Sequence, residues 1–130
     1  MSALPTMNGY KTETASLSEH GKNIFSLWHQ GLAHTTRLEA KLDWYYRHNP
    51  EGAPLMSFLL HVESGERIGI AYAAPRRMRY RARTFCVGSM IVIVVTPAHR
   101  TLFPALYLQK ALCRQALKVN ALLYGLASEQ

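Results

Sequence analysis

The chain has 130 residues, 48% of them hydrophobic, with a formal net charge of +7 and two cysteines. That length suits a single domain with its own core. No apolar run reaches the ~18 residues a membrane helix needs, and two cysteines make no dense disulfide framework. The first nine residues lack the basic and apolar regions of a secretion signal and read as a flexible tail, residues 1–9, ahead of one domain, residues 10–130. With Cys86 and Cys113 both read as reduced thiols, the expected compartment is the cytoplasm, and no membrane contact is expected. The basic balance favours anionic partners without choosing among them.

Tyr10 to Ala15 alternates weakly and is predicted as an edge strand. Ser18 stands where a helix cap belongs, and from Lys22 the spacing of Ile24, Leu27, Trp28 and Leu32 predicts a helix whose last turn Gly31 weakens. A second helix is predicted from Thr35 or Thr36 to His48, with Leu38, Leu42 and Tyr45 on one face. Asn49-Pro50-Glu51-Gly52 stops it with turn chemistry. Leu55 to Glu63 and Arg67 to Ala74 read as a hairpin turning at Ser64-Gly65. A basic connection, Pro75 to Arg83, leads to a third strand of this group, Thr84 to Val95. A helix from Pro104 to Lys118 and a short apolar strand, Ala121 to Leu126, complete the pattern. The order is β-α-α-β-β-β-α-β, an α/β chain with a mixed sheet. The middle strands are expected to be antiparallel, and the last to run parallel to Thr84–Val95 through a helical crossover.

The most informative stretch is V-V-T-P-A-H-R-T-L-F-P-A-L-Y-L-Q-K-A-L, Val94 to Leu112. An apolar strand that feeds a helix N-terminus points free backbone N–H groups and the positive end of the helix dipole out of the turn, which suits an anion. The pattern resembles the acyl-CoA-binding motif of the GNAT acyltransferase superfamily, in which the fourth strand is followed by R/Q-x-x-G-x-G/A and a helix. The matching positions are Arg100, Thr101, Leu102, Phe103, Pro104 and Ala105. The arginine and the final small residue agree; Phe103 replaces the first glycine. W-Y-Y-R-H-N-P-E-G, the A-P-R-R that ends the hairpin, and L-L-Y-G are similar to one bacterial branch of the superfamily, so the resemblance runs from about Tyr10 to Gly125.

The resemblance implies a GNAT-like fold, acetyl-CoA or another acyl-CoA as co-substrate, and transfer of the acyl group to an amine. It implies that Ile93, Val94 and Val95 offer backbone groups to the pantetheine arm, and that the pyrophosphate lies over the amides of Thr101, Leu102, Phe103 and Ala105 with Arg100 beside it. Phe103 is expected to obstruct that approach, since glycine permits close backbone contact and a ring does not. Pro104 brings no N–H but is tolerated in a first helical turn. Related sequences carry an acid in a G-x-L-x-D pattern. Aligning Gly88 and Met90 with it places Val92 at the acid, and valine transfers no proton. No catalytic residue is assigned. The superfamily continues past its fifth strand with another helix and usually two strands, so the chain reads as C-terminally shortened. The last strand is then an open apolar edge, covered by a second copy or a partner chain, or else left by truncation.

Other candidates carry bland readings beside sharp ones. Arg76, Arg77, Arg79, Arg81 and Arg83 surround Tyr80 and suit phosphate contact and base stacking, but also a solvated hairpin. If the segment is extended, Arg79, Arg81 and Arg83 share one face. Glu63 and Glu66 read as solvated, and Tyr124 as packed. The six histidines form no metal-binding motif, and no metal is expected. Three functions remain open: an acyl-CoA-dependent N-acyltransferase, a non-catalytic remnant of that fold serving as an interaction module, and a small basic nucleic-acid-binding protein.

Overall fold

A computed structural model describes residues 8–31, 40, 43–44, 48–120 and 122–125. Five strands form one sheet in chain order: β1 (Tyr10–Ala15), β2 (Leu55–His61), β3 (Glu66–Tyr80), β4 (Arg83–Val95) and β5 (Leu122–Tyr124). The first four pair antiparallel, and β5 runs parallel to β4, as the sequence pattern predicts. Helix α1 (Leu17–Gly31) covers one face, and α2 (Leu102–Ala116) covers the other.

The period of two along each strand sorts the core into two layers. Phe58, Ile70, Tyr72 and Val94 meet Ile24, Leu27 and Trp28 of α1. Leu59, Ala71, Ala73 and Val95 meet Tyr107, Leu108 and Leu112 of α2. Trp28 stacks on Tyr72 with ring centroids 5.5 Å apart. Gly69 is small for a reason: a Cβ there would lie 3.0 Å from Val94 O and 3.4 Å from Leu108 Cδ2. At Gly88 it would lie 2.5 Å from Leu123 Cδ2, so glycine lets β5 lie against β4.

Several boundaries differ from expectation. Helix α1 begins at Leu17, five residues before Lys22, and bends at His20 (φ −123°, ψ 19°), whose Nδ1 accepts the N–H of Ser16 at 3.1 Å. The sequence pattern misses this first turn because it carries few apolar residues. Most of the second predicted helix lies outside the described residues; Ala40, Asp43 and Trp44 are helical. Asn8 and Gly9 form a turn, and Gly9 O accepts the N–H of Val62 at 2.8 Å. The largest correction concerns the basic connection. Pairing continues from Gly69↔Val95 out to Tyr80↔Arg83, so β3 and β4 are joined by a tight hairpin at Arg81–Ala82, not a long loop. Paired residues share a face in an antiparallel ladder. Arg79 and Arg83 therefore lie on opposite faces, and Arg81 sits in the turn at φ 56°. The expectation that all three share one face fails because the chain reverses between them.

Candidate acyl-CoA site at the β4–β5 fork

Strand β4 has two unlike edges. Toward β3 it is hydrogen-bonded along its whole length. Toward β5 the register covers only Val87↔Leu122, Gly88↔Leu123 and Ser89↔Tyr124. Among the described residues, no strand pairs with β4 on this side beyond Ser89. A bulge lies at the same place: Tyr72 pairs with Val92 and Ala73 with Met90, so Ile91 is the extra residue. A bulge bends its strand and increases the local twist, and the β4 edge beyond it, past the described pairing with β5, is the fork.

Beyond the bulge, backbone groups alternate between the two edges. Thr96 N–H donates to Ile68 O at 2.8 Å, and Val94 O lies against Gly69 of β3. Ile93 and Val95 therefore direct their N–H and C=O groups into the fork. Ile93 is 39% exposed. Ile93, Val95, Arg100, Thr101, Leu102 and Ala105 line a cleft of about 370 Å³ that joins this edge to the start of α2. Six of the eight residues expected at the site thus meet around one cavity. Val94 points its side chain to the α1 layer.

Phe103 points elsewhere as well. Its ring stacks on Tyr107 with centroids 5.8 Å apart, approaches Tyr10 at 6.3 Å and packs on the α2 layer of the core. The ring is absent from the cleft lining, so the geometry gives no support to the expected obstruction. Helix rotation explains this: one residue along a helix turns the side chain by about 100°. Leu102 is left in solvent at 76% exposure, while Phe103 faces inward.

The turn between β4 and α2 is more structured than the sequence suggests. Pro97–His99 forms a 3-10 turn. His99 N–H donates to Thr96 O, Arg100 N–H to Pro97 O and Thr101 N–H to His99 O. Thr101 then takes the cap position of α2 with its hydroxyl making no capping bond. Helix α2 thus starts two residues before the predicted Pro104, which falls at its third position and costs no intrahelical bond there. Ala105 N–H is the first to bond inside the helix. Of the amides assigned to the pyrophosphate, only those of Leu102 and Phe103 remain open, with the Thr101 hydroxyl beside them. No acidic residue stands in the first turn of α2 to oppose an anion.

Two residues fix this turn, and neither role is readable from spacing. Arg100 Nε donates to Val95 O at 2.9 Å, and its Nη2 donates to Gln30 O at 3.3 Å. The guanidinium thus ties the turn to β4 and to the end of α1. On the other side, Tyr10 and His99 share a hydrogen bond through the Tyr10 hydroxyl and His99 Nδ1 at 2.9 Å. His61 packs 4.7 Å from His99, centroid to centroid. Deeper along α2, burial pushes the Tyr107 hydroxyl and the Cys113 thiol above their ordinary values. Cys113 Sγ lies 3.7 Å from Met90 Sδ, at the base of the fork. Tyr124 is 37% exposed, not packed as expected, because β5 is an edge strand. Among the described residues no three His, Cys, Asp or Glu side chains are grouped to hold a metal, and no helix is long and apolar enough to cross a membrane.

No family model matches the chain, and no curated protein matches it. Solved structures do. An aminoglycoside N-acetyltransferase in complex with CoA superposes with a TM-score of 0.68 at 16% identity, over 96% of this chain and 81% of that one. A GNAT family acetyltransferase of Staphylococcus aureus gives 0.64 at 10% identity, over 93% and 88%. An acetyltransferase of Trypanosoma brucei gives 0.61 at 18% identity, over 92% and 84%. The chain has the GNAT acetyltransferase fold, as the sequence motif implied.

Proposed function

We propose that this protein binds an acyl-CoA in the β4–β5 fork and transfers the acyl group to an amine. One observation carries the reading: a backbone edge at Ile93 and Val95, with no strand beside it among the described residues and Val95 O held by Arg100, continues into a cleft that ends on the open amides of Leu102 and Phe103. An extended amide-bearing arm pairs with such an edge as a strand would. A phosphate suits the start of α2 through backbone donors and the helix dipole. In the reaction, the amine nitrogen attacks the thioester carbonyl, the C–S bond breaks, and CoA leaves as a thiol with the proton the amine gives up. A β4 amide aimed at the carbonyl oxygen would stabilise the developing negative charge. Acetyl-CoA is the simplest donor.

A second reading, a CoA-binding module without turnover, draws on Val92, which stands at the motif position of an acid and accepts no proton. Calorimetric titration with acetyl-CoA tests the shared premise; saturable one-to-one binding is expected, and no binding removes both readings. Release of free CoA thiol in the presence of an amine panel then separates them. Turnover supports the enzyme, and binding without turnover supports the module.

A further inference from the structure

The far end of β4 carries a second surface that acyl-CoA does not use. Strand β2 pairs with β3 no further than Ala73, and β5 pairs with β4 no earlier than Val87. The segment between, Ala74 to Cys86, is a two-stranded ribbon that projects past the sheet. It contains five arginines and no acidic residue. Residues 77–84 are all exposed. Arg76 lies over the Trp44 ring at 5.5 Å, and Arg77 meets Glu51 at 3.4 Å. Arg79, Arg81 and Arg83 meet no carboxylate among the described residues; Arg79 donates to Arg81 O, and Arg81 lies over Tyr80, itself 64% exposed. Among the described residues these three cationic side chains meet no acid, at the tip of a protein whose net charge is +7.

We infer that this ribbon docks in the major groove of double-stranded DNA. A polyanion suits this ribbon, because its phosphates would lie against arginines held apart from acids. Arginine suits phosphate better than lysine does, through its planar fork of donors. The two-sided layout selects among polyanions. Arg77 and Arg79 leave one face of the ribbon, Arg83 the other, and Arg81 the tip. A flat bilayer reaches only one face. A groove has phosphates on both walls, and the major groove of B-DNA, about 12 Å wide, admits a two-stranded ribbon. Duplex RNA does not offer an equivalent groove to protein. The ribbon tip and the α2 turn lie at opposite ends of β4, about 40 Å apart at the usual strand rise, so the inference does not depend on the acyl-CoA reading.

Fluorescence anisotropy with a labelled DNA duplex, titrated across potassium chloride concentrations, tests it. Three phosphate contacts predict a slope of log K against log salt of about −2.7. The triple variant Arg79→Gln/Arg81→Gln/Arg83→Gln should lose most of that slope and at least about tenfold in affinity at low salt, with an unchanged unfolding midpoint. Should that variant fold poorly, Arg81→Gln alone, at the exposed tip, should lower the slope by about 1. Saturating CoA should leave duplex binding unaltered. The inference is overturned if the wild type does not bind the duplex or the variants keep its affinity and slope. It is also overturned if CoA displaces the duplex, or if a single strand, a poly-glutamate chain or phosphatidylglycerol vesicles bind more tightly than the duplex.

Discussion

The two edges of β4 have the same strand chemistry and opposite fates. Toward β3, Val94 and Thr96 are held by backbone contacts to Gly69 and Ile68. Toward β5, Ile93 and Val95 have no strand beside them among the described residues. One edge builds the sheet; the other directs the backbone groups of Ile93 and Val95 away from β3, with Val95 O accepting the Arg100 guanidinium. Exposed backbone of this kind is normally a liability. Here it opens into a cleft whose far end is a helix N-terminus. The difference teaches that one strand can put its two edges to different uses, with the bulge at Ile91 lying close to where the described pairing with β5 ends.

The largest expected effect falls on the packed side. Leu108 is fully buried beside Gly69 and holds α2 against the sheet. Leu108→Ala should cost about 3 kcal/mol in chemical denaturation. A loss under about 1 kcal/mol would mean that α2 is not seated as described.

Phe103 sharpens the comparison, because its ring belongs to the packed side and its amide to the open side. Phe103→Gly should destabilise the protein by about 2 kcal/mol, through lost aromatic packing and a glycine in the helix. Its acetyl-CoA affinity should stay within about threefold of wild type, well under the tenfold step that 1.4 kcal/mol represents. A tenfold gain in affinity would restore the idea that the ring blocks the site.

Arg100→Ala should act in the reverse sense. It frees Val95 O and detaches the turn from Gln30 O, yet removes little core. Acetyl-CoA should bind about tenfold more weakly, or about 1.4 kcal/mol, with a stability loss near 1 kcal/mol. Equal affinity in titration calorimetry would show that the turn needs no such tether.

The smallest effect is kinetic. Cys86 is exposed on β4, whereas burial raises the Cys113 thiol and leaves less thiolate at a given pH. A thiol-disulfide reagent at pH 8 should label Cys86 first, which Cys86→Ser would confirm by removing the fast phase. Comparable rates would place Cys113 nearer to solvent than the fork allows.

Much of this architecture was legible in the residues. The run Met90 to Val95 is apolar and β-branched, and Thr96 to Pro104 supplies the helix-entry chemistry, so the strand, crossover helix and parallel strand follow from local pattern. The arginine ribbon was not legible as strand. Met78 and Tyr80 do alternate with Arg77, Arg79 and Arg81, but five arginines within eight residues read first as a solvated connection. The direction of Phe103 was hidden for another reason. A motif gives positions in order, and only the helix start at Leu102, two residues earlier than expected, decides which way each side chain turns. The tethers made by Gln30 O and by Tyr10 to His99 join distant parts of the chain, and no spacing within one segment announces them.

The central claim is that the unpaired edge of β4 receives the acyl-CoA. Amide hydrogen exchange followed residue by residue, with and without saturating acetyl-CoA, tests it most directly. The account predicts that Ile93, Val95, Leu102 and Phe103 gain protection together, while Val94, already held by β3, changes little. Binding that protects none of these four amides, or protects instead the polar cleft around Glu13, Asn23 and Glu66, would contradict it.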